Sequence, residues 1–146
     1  MHSFLRLIER QCFSMSKIEG RLRFPFGPLK YLYLGSSNIK RDIEYYSKIL
    51  GAAKVWDRSG FGARVAAFQL GEGPILLLAD HRPAGSCIMI FQVDNLEKTS
   101  GQLRERGWKA EGEEFEVPEG PCYRFNDPSG NALALLQIVR PNIFGQ

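Results

Sequence analysis

The sequence predicts an α+β fold assembled from two βαβββ halves, and three observations carry that expectation. The chain has 146 residues, of which 44% are hydrophobic and 24% charged, enough for one ordinary core and too apolar for a disordered chain. Residues 30–38 (KYLYLGSSN) and 87–95 (CIMIFQVDN) share one layout, an apolar-rich strand running into an Asn placed to cap a helix. Finally, Asn38 and Asn95, Phe68 and Phe125, and Gly73 and Gly130 are each 57 residues apart, one offset at three landmarks.

Residues 1–28 precede the repeat. Phe4, Leu5, Leu7, Ile8 and Cys12 fall near helical spacing, but Arg6, Glu9 and Arg10 interrupt the apolar run that a secretory signal needs, and Glu9 argues against a transit peptide. The expectation is an N-terminal helical extension packed on the body, or a natural start at Met15. In the first half, 29–80, Asn38 opens a helix whose face is Ile39, Ile43, Tyr46 and Leu50, closed by Gly51. Strands are expected at 53–57, 64–70 and 74–79. In the second half, 86–139, Asn95 opens a helix with Leu96, Ser100 and Leu103 on one face before Gly107, and strands follow at 108–112, 122–126 and 132–138. The acidic stretch 111–116 reads as a solvated loop or edge whose like charges discourage strand pairing between molecules, and 140–146 as a C-terminal tail.

Nineteen Lys and Arg against sixteen Asp and Glu give a net charge of +3, scattered along the chain, which argues against nucleic acid as a partner. Cys12, Cys87 and Cys122 are odd in number and contain no Cys-x-x-Cys pair, so they read as reduced thiols of a cytoplasmic protein. No apolar run is long enough for a membrane helix.

The strand, Asn cap and helix with Tyr45-Tyr46 and Ile49-Leu50-Gly51, the segment Phe91-Gln92-Val93-Asp94-Asn95-Leu96, and the closing Phe125-Asn126-Asp127-Pro128-Ser129-Gly130-Asn131 together resemble the vicinal oxygen chelate superfamily. That group holds glyoxalase I, bleomycin-resistance proteins, fosfomycin-resistance enzymes and extradiol dioxygenases. The resemblance spans about residues 29–139 and implies a single domain of two βαβββ modules. Their open, curved mixed sheet forms a cup with helices outside, and homodimers are usual.

The resemblance also implies where a divalent metal would be held: seven residues before each cap and four after the last Gly of each module, which are Tyr31, Leu77, Ile88 and Ala134. Three apolar side chains and a phenol cannot supply the nitrogen, sulfur or carboxylate donors a metal needs, so neither metal nor cofactor is expected. His81, beside Asp80 just past a strand end, reads as a solvated or capping histidine in preference to a metal site with Asp80 at the cup rim. Strand alternation turns the neighbours of the same parity into the cup: Tyr33, Ile75, Ala79, Ile90, Gln92, Ala132 and Leu136. The third strands add Val65, Ala67 and Gln69 from one half and Cys122, Arg124 and Asn126 from the other, with Phe68 and Phe125 turned toward the helices.

The candidate ligand-binding residues are therefore Tyr31, Tyr33, Trp56, Gln69, Leu77, Ile88, Gln92, Cys122, Arg124 and Ala134. Arg124 in an apolar cup calls for an anion, from the ligand or from one of Glu111, Glu113, Glu114 and Glu116. Cys122 lacks a His partner and is a poor candidate nucleophile. The function expected first is metal-independent binding of a small apolar or aromatic molecule, anionic if Arg124 meets it. The alternative is a lyase, isomerase or dioxygenase-like enzyme using Arg124 and Tyr31 where relatives use a metal; a subunit with a closed cup is a third reading. Glyoxalase I chemistry itself depends on the metal these residues do not fit.

Overall fold

Asn38 and Asn95 do cap the two helices: each side-chain oxygen accepts from a backbone amide three residues on, at Arg41 (3.1 Å) and Lys98 (2.9 Å). The structure is a computed structural model that describes residues 23–109 and 112–143. The expectation of a helical extension falls largely on residues 1–22, outside the described residues. In chain order the elements are β1 (Leu29–Gly35), α1 (Ile39–Glu44), which runs into a π-helical turn (Tyr45–Ile49), β2 (Ala53–Gly60), β3 (Ala63–Gln69) and β4 (Ile75–Ala79), then β5 (Cys87–Gln92), α2 (Leu96–Glu105), β6 (Glu113–Val117), β7 (Gly120–Asn126) and β8 (Ala132–Leu136).

All eight strands form one sheet in the order β2-β3-β4-β1-β5-β8-β7-β6. Each half thus contributes the same four-strand ladder, and the halves meet where β1 runs antiparallel to β5. The 57-residue offset holds pair by pair. Tyr33 lies opposite Leu77 as Ile90 lies opposite Ala134, Ala67 opposite Leu77 as Arg124 opposite Ala134, and Gly60 opposite Ala63 as Val117 opposite Gly120. The sheet is mixed and curls into a half-barrel with the helices outside.

Two apolar clusters separate its faces. Inside the curl lie Tyr31, Ala67, Leu77, Ile88, Ile90, Cys122, Ala134 and Leu136; under α1 lie Ile43, Ala66, Phe68, Leu76 and Leu78. These sets follow strand alternation as expected. On the outer side of the second half, Phe125 packs edge-on to Trp108 (5.1 Å between ring centroids), and Phe26, ahead of β1, packs on Phe91 (5.3 Å). The 23–28 segment is held there by paired backbone bonds, Gly27 N to Gln92 O and Gln92 N to Pro28 O.

Two elements differ from expectation. The strand expected at 108–112 lies instead at Glu113–Val117, as an exposed edge strand, because the offset carries Trp56–Gly60 of β2 onto those residues. Acidic side chains disguise it: a strand at a sheet edge keeps charge in water on both faces. The helix face Ile39, Ile43, Tyr46 and Leu50 also breaks at its end, leaving Leu50 54% exposed. There the Leu50 amide donates to Tyr45 O (3.0 Å), and the wider π turn rotates Leu50 off the stripe. Among the described residues, no helix is long and apolar enough to cross a membrane.

Candidate functional site

The mouth of the curl is flanked by the tips of two equivalent hairpins. At the β2–β3 tip, Phe61 and Gly62 both have positive φ (53° and 77°), and the Phe61 ring is fully exposed. The corresponding β6–β7 tip is Pro118-Glu119. Its backbone is fixed from behind, since Glu119 O accepts from both Val139 N and Arg140 N at 2.9 Å. Gly120 follows because nothing larger fits: a Cβ there would stand 2.0 Å from Gln137 O.

Below the tips is a cavity of about 310 Å³, lined by Tyr31, Tyr33, Trp56, Val65, Leu77, Ile90, Cys122 and Leu136 from the sheet, with Arg58, Phe61, Pro118 and Glu119 at the rim. A polar pair spans the curl. Tyr31 Oη donates to Glu119 Oε1 at 2.5 Å, joining residues 88 apart. Burial first, then the hydrogen bond to Glu119 and its charge, hold the Tyr31 hydroxyl well above the usual phenol range, so it stays a proton donor. The second Glu119 oxygen has no partner among the described residues.

A neighbouring chamber of about 350 Å³ shares Tyr33, Ile90 and Val117 with the first and adds His81, Arg82, Ile88, Glu113, Phe115, Glu116 and Arg124. Here Tyr33 Oη lies 3.0 Å from His81 Nε2. Burial raises the Tyr33 pKa, and the Arg82 charge opposes the rise.

The sequence-derived candidates divide accordingly. Tyr31, Trp56, Leu77 and Cys122 line the first chamber, Ile88 and Arg124 the second, and Tyr33 both. Gln69, Gln92 and Ala134 line neither. The Gln69 amide donates to Gly71 O and Gly73 O (2.9 and 3.2 Å), bracing the β3–β4 turn. Gln92 bonds the 23–28 segment through its backbone, and Ala134 is a fully buried floor residue too short to reach the void. Arg124 and Tyr31, expected to act together, stand in different chambers. Arg124 makes no ion pair among the described residues, although Glu113 is its ladder partner. Cys122 is 1% exposed, and its thiol is pushed up to about 12, by burial first and then by the charges of Glu119 and Glu116, which disfavours the thiolate.

Sequence reasoning missed Glu119, Arg82 and the two hairpin tips. The signal was available in the offset, which pairs Phe61-Gly62 with Pro118-Glu119. Asp80 Oδ1 accepts from the Arg64 amide (2.8 Å).

The residues at the implied metal positions do not fit a metal. Tyr31, Leu77, Ile88 and Ala134 belong to one apolar cluster, three of them carry no donor atom, and the phenol is committed to Glu119. Among the described residues, no three His, Cys, Asp or Glu side chains gather as a ligand set.

Compared with known proteins, residues 29–135 match the family model described as the Glyoxalase/Bleomycin resistance protein/Dioxygenase superfamily. A search among curated proteins gave no match. Among solved structures, the chain is similar to methylmalonyl-CoA epimerase from Mycobacterium tuberculosis (TM-score 0.65, 14% identity, covering 86% of this chain and 96% of that one). It is also similar to a Streptomyces coelicolor methylmalonyl-CoA epimerase in complex with 2-nitronate-propionyl-CoA (0.63, 12%, 79% and 99%). A Vibrio splendidus superfamily member is a third (0.54, 13%, 75% and 97%). At these identities the likeness concerns the fold alone.

Proposed function

On the premise that the chain belongs to the glyoxalase/bleomycin resistance protein/dioxygenase superfamily, we propose that its cup takes up a small, largely apolar organic molecule and moves a proton on it, as an isomerase or lyase that uses no metal. The observation that carries this reading is the Tyr31–Glu119 pair, a carboxylate held by one oxygen at the wall of a largely apolar cavity, its other oxygen without a partner among the described residues. Epimerases appear among the similar structures, and epimerisation of a carbon acid is removal and return of one proton. Fold alone does not transfer an activity, so the argument rests on the pair.

In this mechanism the free Glu119 oxygen takes a proton from a carbon next to a carbonyl, and the electron pair of the broken C–H bond moves onto the carbonyl oxygen. Delivery of that proton to another position of the enolate, or to the opposite face of the same carbon after the enolate turns, regenerates the carboxylate and completes an isomerisation; expulsion of a leaving group from the next carbon, which takes the electron pair and then the proton from Glu119, instead completes an elimination. Tyr31 keeps its own proton and fixes the carboxylate. Arg58, at the rim of the same chamber and without an ion pair among the described residues, is available to the developing oxyanion, the role expected of Arg124.

The test is proton exchange in D2O, followed by NMR, on a panel of carbon acids that includes acyl thioesters and 2-oxo acids. Wild-type protein should wash deuterium into at least one bound compound, and Glu119→Gln should stop the exchange while binding persists. A second reading, sequestration without chemistry, is favoured by the aliphatic walls at Val65, Leu77, Ile90 and Leu136. Binding without exchange in the wild type would replace the first reading with this one.

A further inference from the structure

We propose that the second chamber is an oxyanion subsite, so that the ligand of this cup is an amphiphilic anion with its apolar body in the first chamber and a carboxylate or phosphate head at Arg82 and Arg124. The inference rests on the ligand-binding cup described above and names the class of molecule it takes. Three observations lead to it.

The Arg82 Nε is buried and has no hydrogen-bond partner among the described residues. A buried donor left unpaired is costly, and the Arg82 guanidinium carbon stands 5.5 Å from the Tyr33 ring centroid, so the charge is held against an aromatic face. Arg124, on β7, enters the same chamber with no ion pair among the described residues. Two carboxylates also line the chamber, but Glu116 is taken by Arg140 (2.8 Å) and Glu113 pairs with neither arginine. The charge left over is positive, and two planar guanidinium groups match the paired oxygens of a carboxylate or phosphate. Finally, Tyr33, Ile90 and Val117 line both chambers, so the apolar cavity and the arginine chamber adjoin.

The probes are 2-naphthoate, 2-naphthyl phosphate and the uncharged 2-naphthamide, titrated by calorimetry and by NMR of the indole N–H signals. Trp56 lines the first chamber and should shift; Trp108, on the outer face, should not. At least one anion is expected to bind about tenfold or more tightly than the amide, with a preference that shrinks as salt rises. The anion that binds more tightly identifies the head group. Arg82→Gln and Arg124→Gln should each remove most of the preference, with a native-like backbone amide NMR spectrum reporting that the variant cup is folded; Arg124→Lys should keep part of it. Equal binding of amide and anions, or a preference that survives both Gln variants, overturns the subsite and leaves the cup standing. Failure of all three probes to shift Trp56 overturns the cup itself, and the subsite with it.

Discussion

Replacing Tyr31 by Phe removes one oxygen and leaves the ring in the core, which isolates the bond that spans the curl. That oxygen donates to Glu119 at 2.5 Å, and a hydrogen bond to a charged acceptor contributes about 1.5–3 kcal/mol. The lower end applies here. Glu119 is only half-buried, so water can replace the lost donor, and its backbone stays pinned by Val139 and Arg140. We therefore expect Tyr31→Phe to cost about 1.5 kcal/mol. Glu119→Gln keeps an acceptor but loses the charge, and should cost about 1 kcal/mol. Because both remove the same interaction, the double variant should cost about 1.5 instead of 2.5 kcal/mol, a coupling of about 1 kcal/mol. Urea unfolding followed by Trp fluorescence reads this as midpoint shifts of roughly 0.5–1 M. Costs that add to within about 0.3 kcal/mol would mean that the two side chains are not joined in solution, and the proton-handling site would lose its anchor.

Four further outcomes follow from the same geometry. Burial is the first cause of the raised Tyr31, Tyr33 and Tyr46 pKa values, so the folded chain keeps protons that the unfolded chain releases near pH 10.0; stability should be full below that pH and fall above it. The alkaline fall should be shallower in Tyr31→Phe, and an unchanged slope by pH-dependent urea unfolding counts against the assignment. Gly120→Ala must push a Cβ away from Gln137 O, disturbing the bonds to Val139 and Arg140, and should cost about 2–4 kcal/mol and shift the Glu119 signals in NMR; a change below about 0.5 kcal/mol sinks this account. Iodoacetamide at pH 8 should label exposed Cys87 in the native protein and reach Cys122 only on unfolding, as read by peptide mass mapping. Zinc, nickel, manganese and iron(II) should leave the melting temperature unchanged, whereas a stoichiometric stabilising metal would show that Tyr31, Leu77, Ile88 and Ala134 are not the positions that matter.

The faces of the sheet were legible from sequence because alternation is a strictly local rule. Tyr31, Leu77, Ile88 and Cys122 point into the curl, and Phe68 and Leu76 away from it, as period two demands. Depth was not legible. Parity puts Ala134 and Gln69 on the inner face, but whether a side chain reaches a void depends on its length and on local partners such as the carbonyls of Gly71 and Gly73. Glu119 was hidden for a different reason. A Pro-Glu-Gly turn reads as solvent-exposed, and only the curvature of the whole sheet carries it over Tyr31, far away in sequence. The acidic β6, read as a solvated loop or edge, is an edge strand; the strand placed at 108–112 missed it, although the register of β6 follows from β2.

The matched hairpin tips have a consequence for the handedness of whatever enters the cup. The backbone framing the cavity is nearly two-fold, but Phe61 stands where its counterpart is Pro118, and Gly62 where its counterpart is Glu119. Arg124 likewise answers to Ala67. A guest taken up as proposed would meet two similar walls of unlike chemistry. Its end-to-end orientation is set by the differences between the duplicated halves, and a pair of mirror-image guests would present the Glu119 carboxylate with opposite faces of the same carbon.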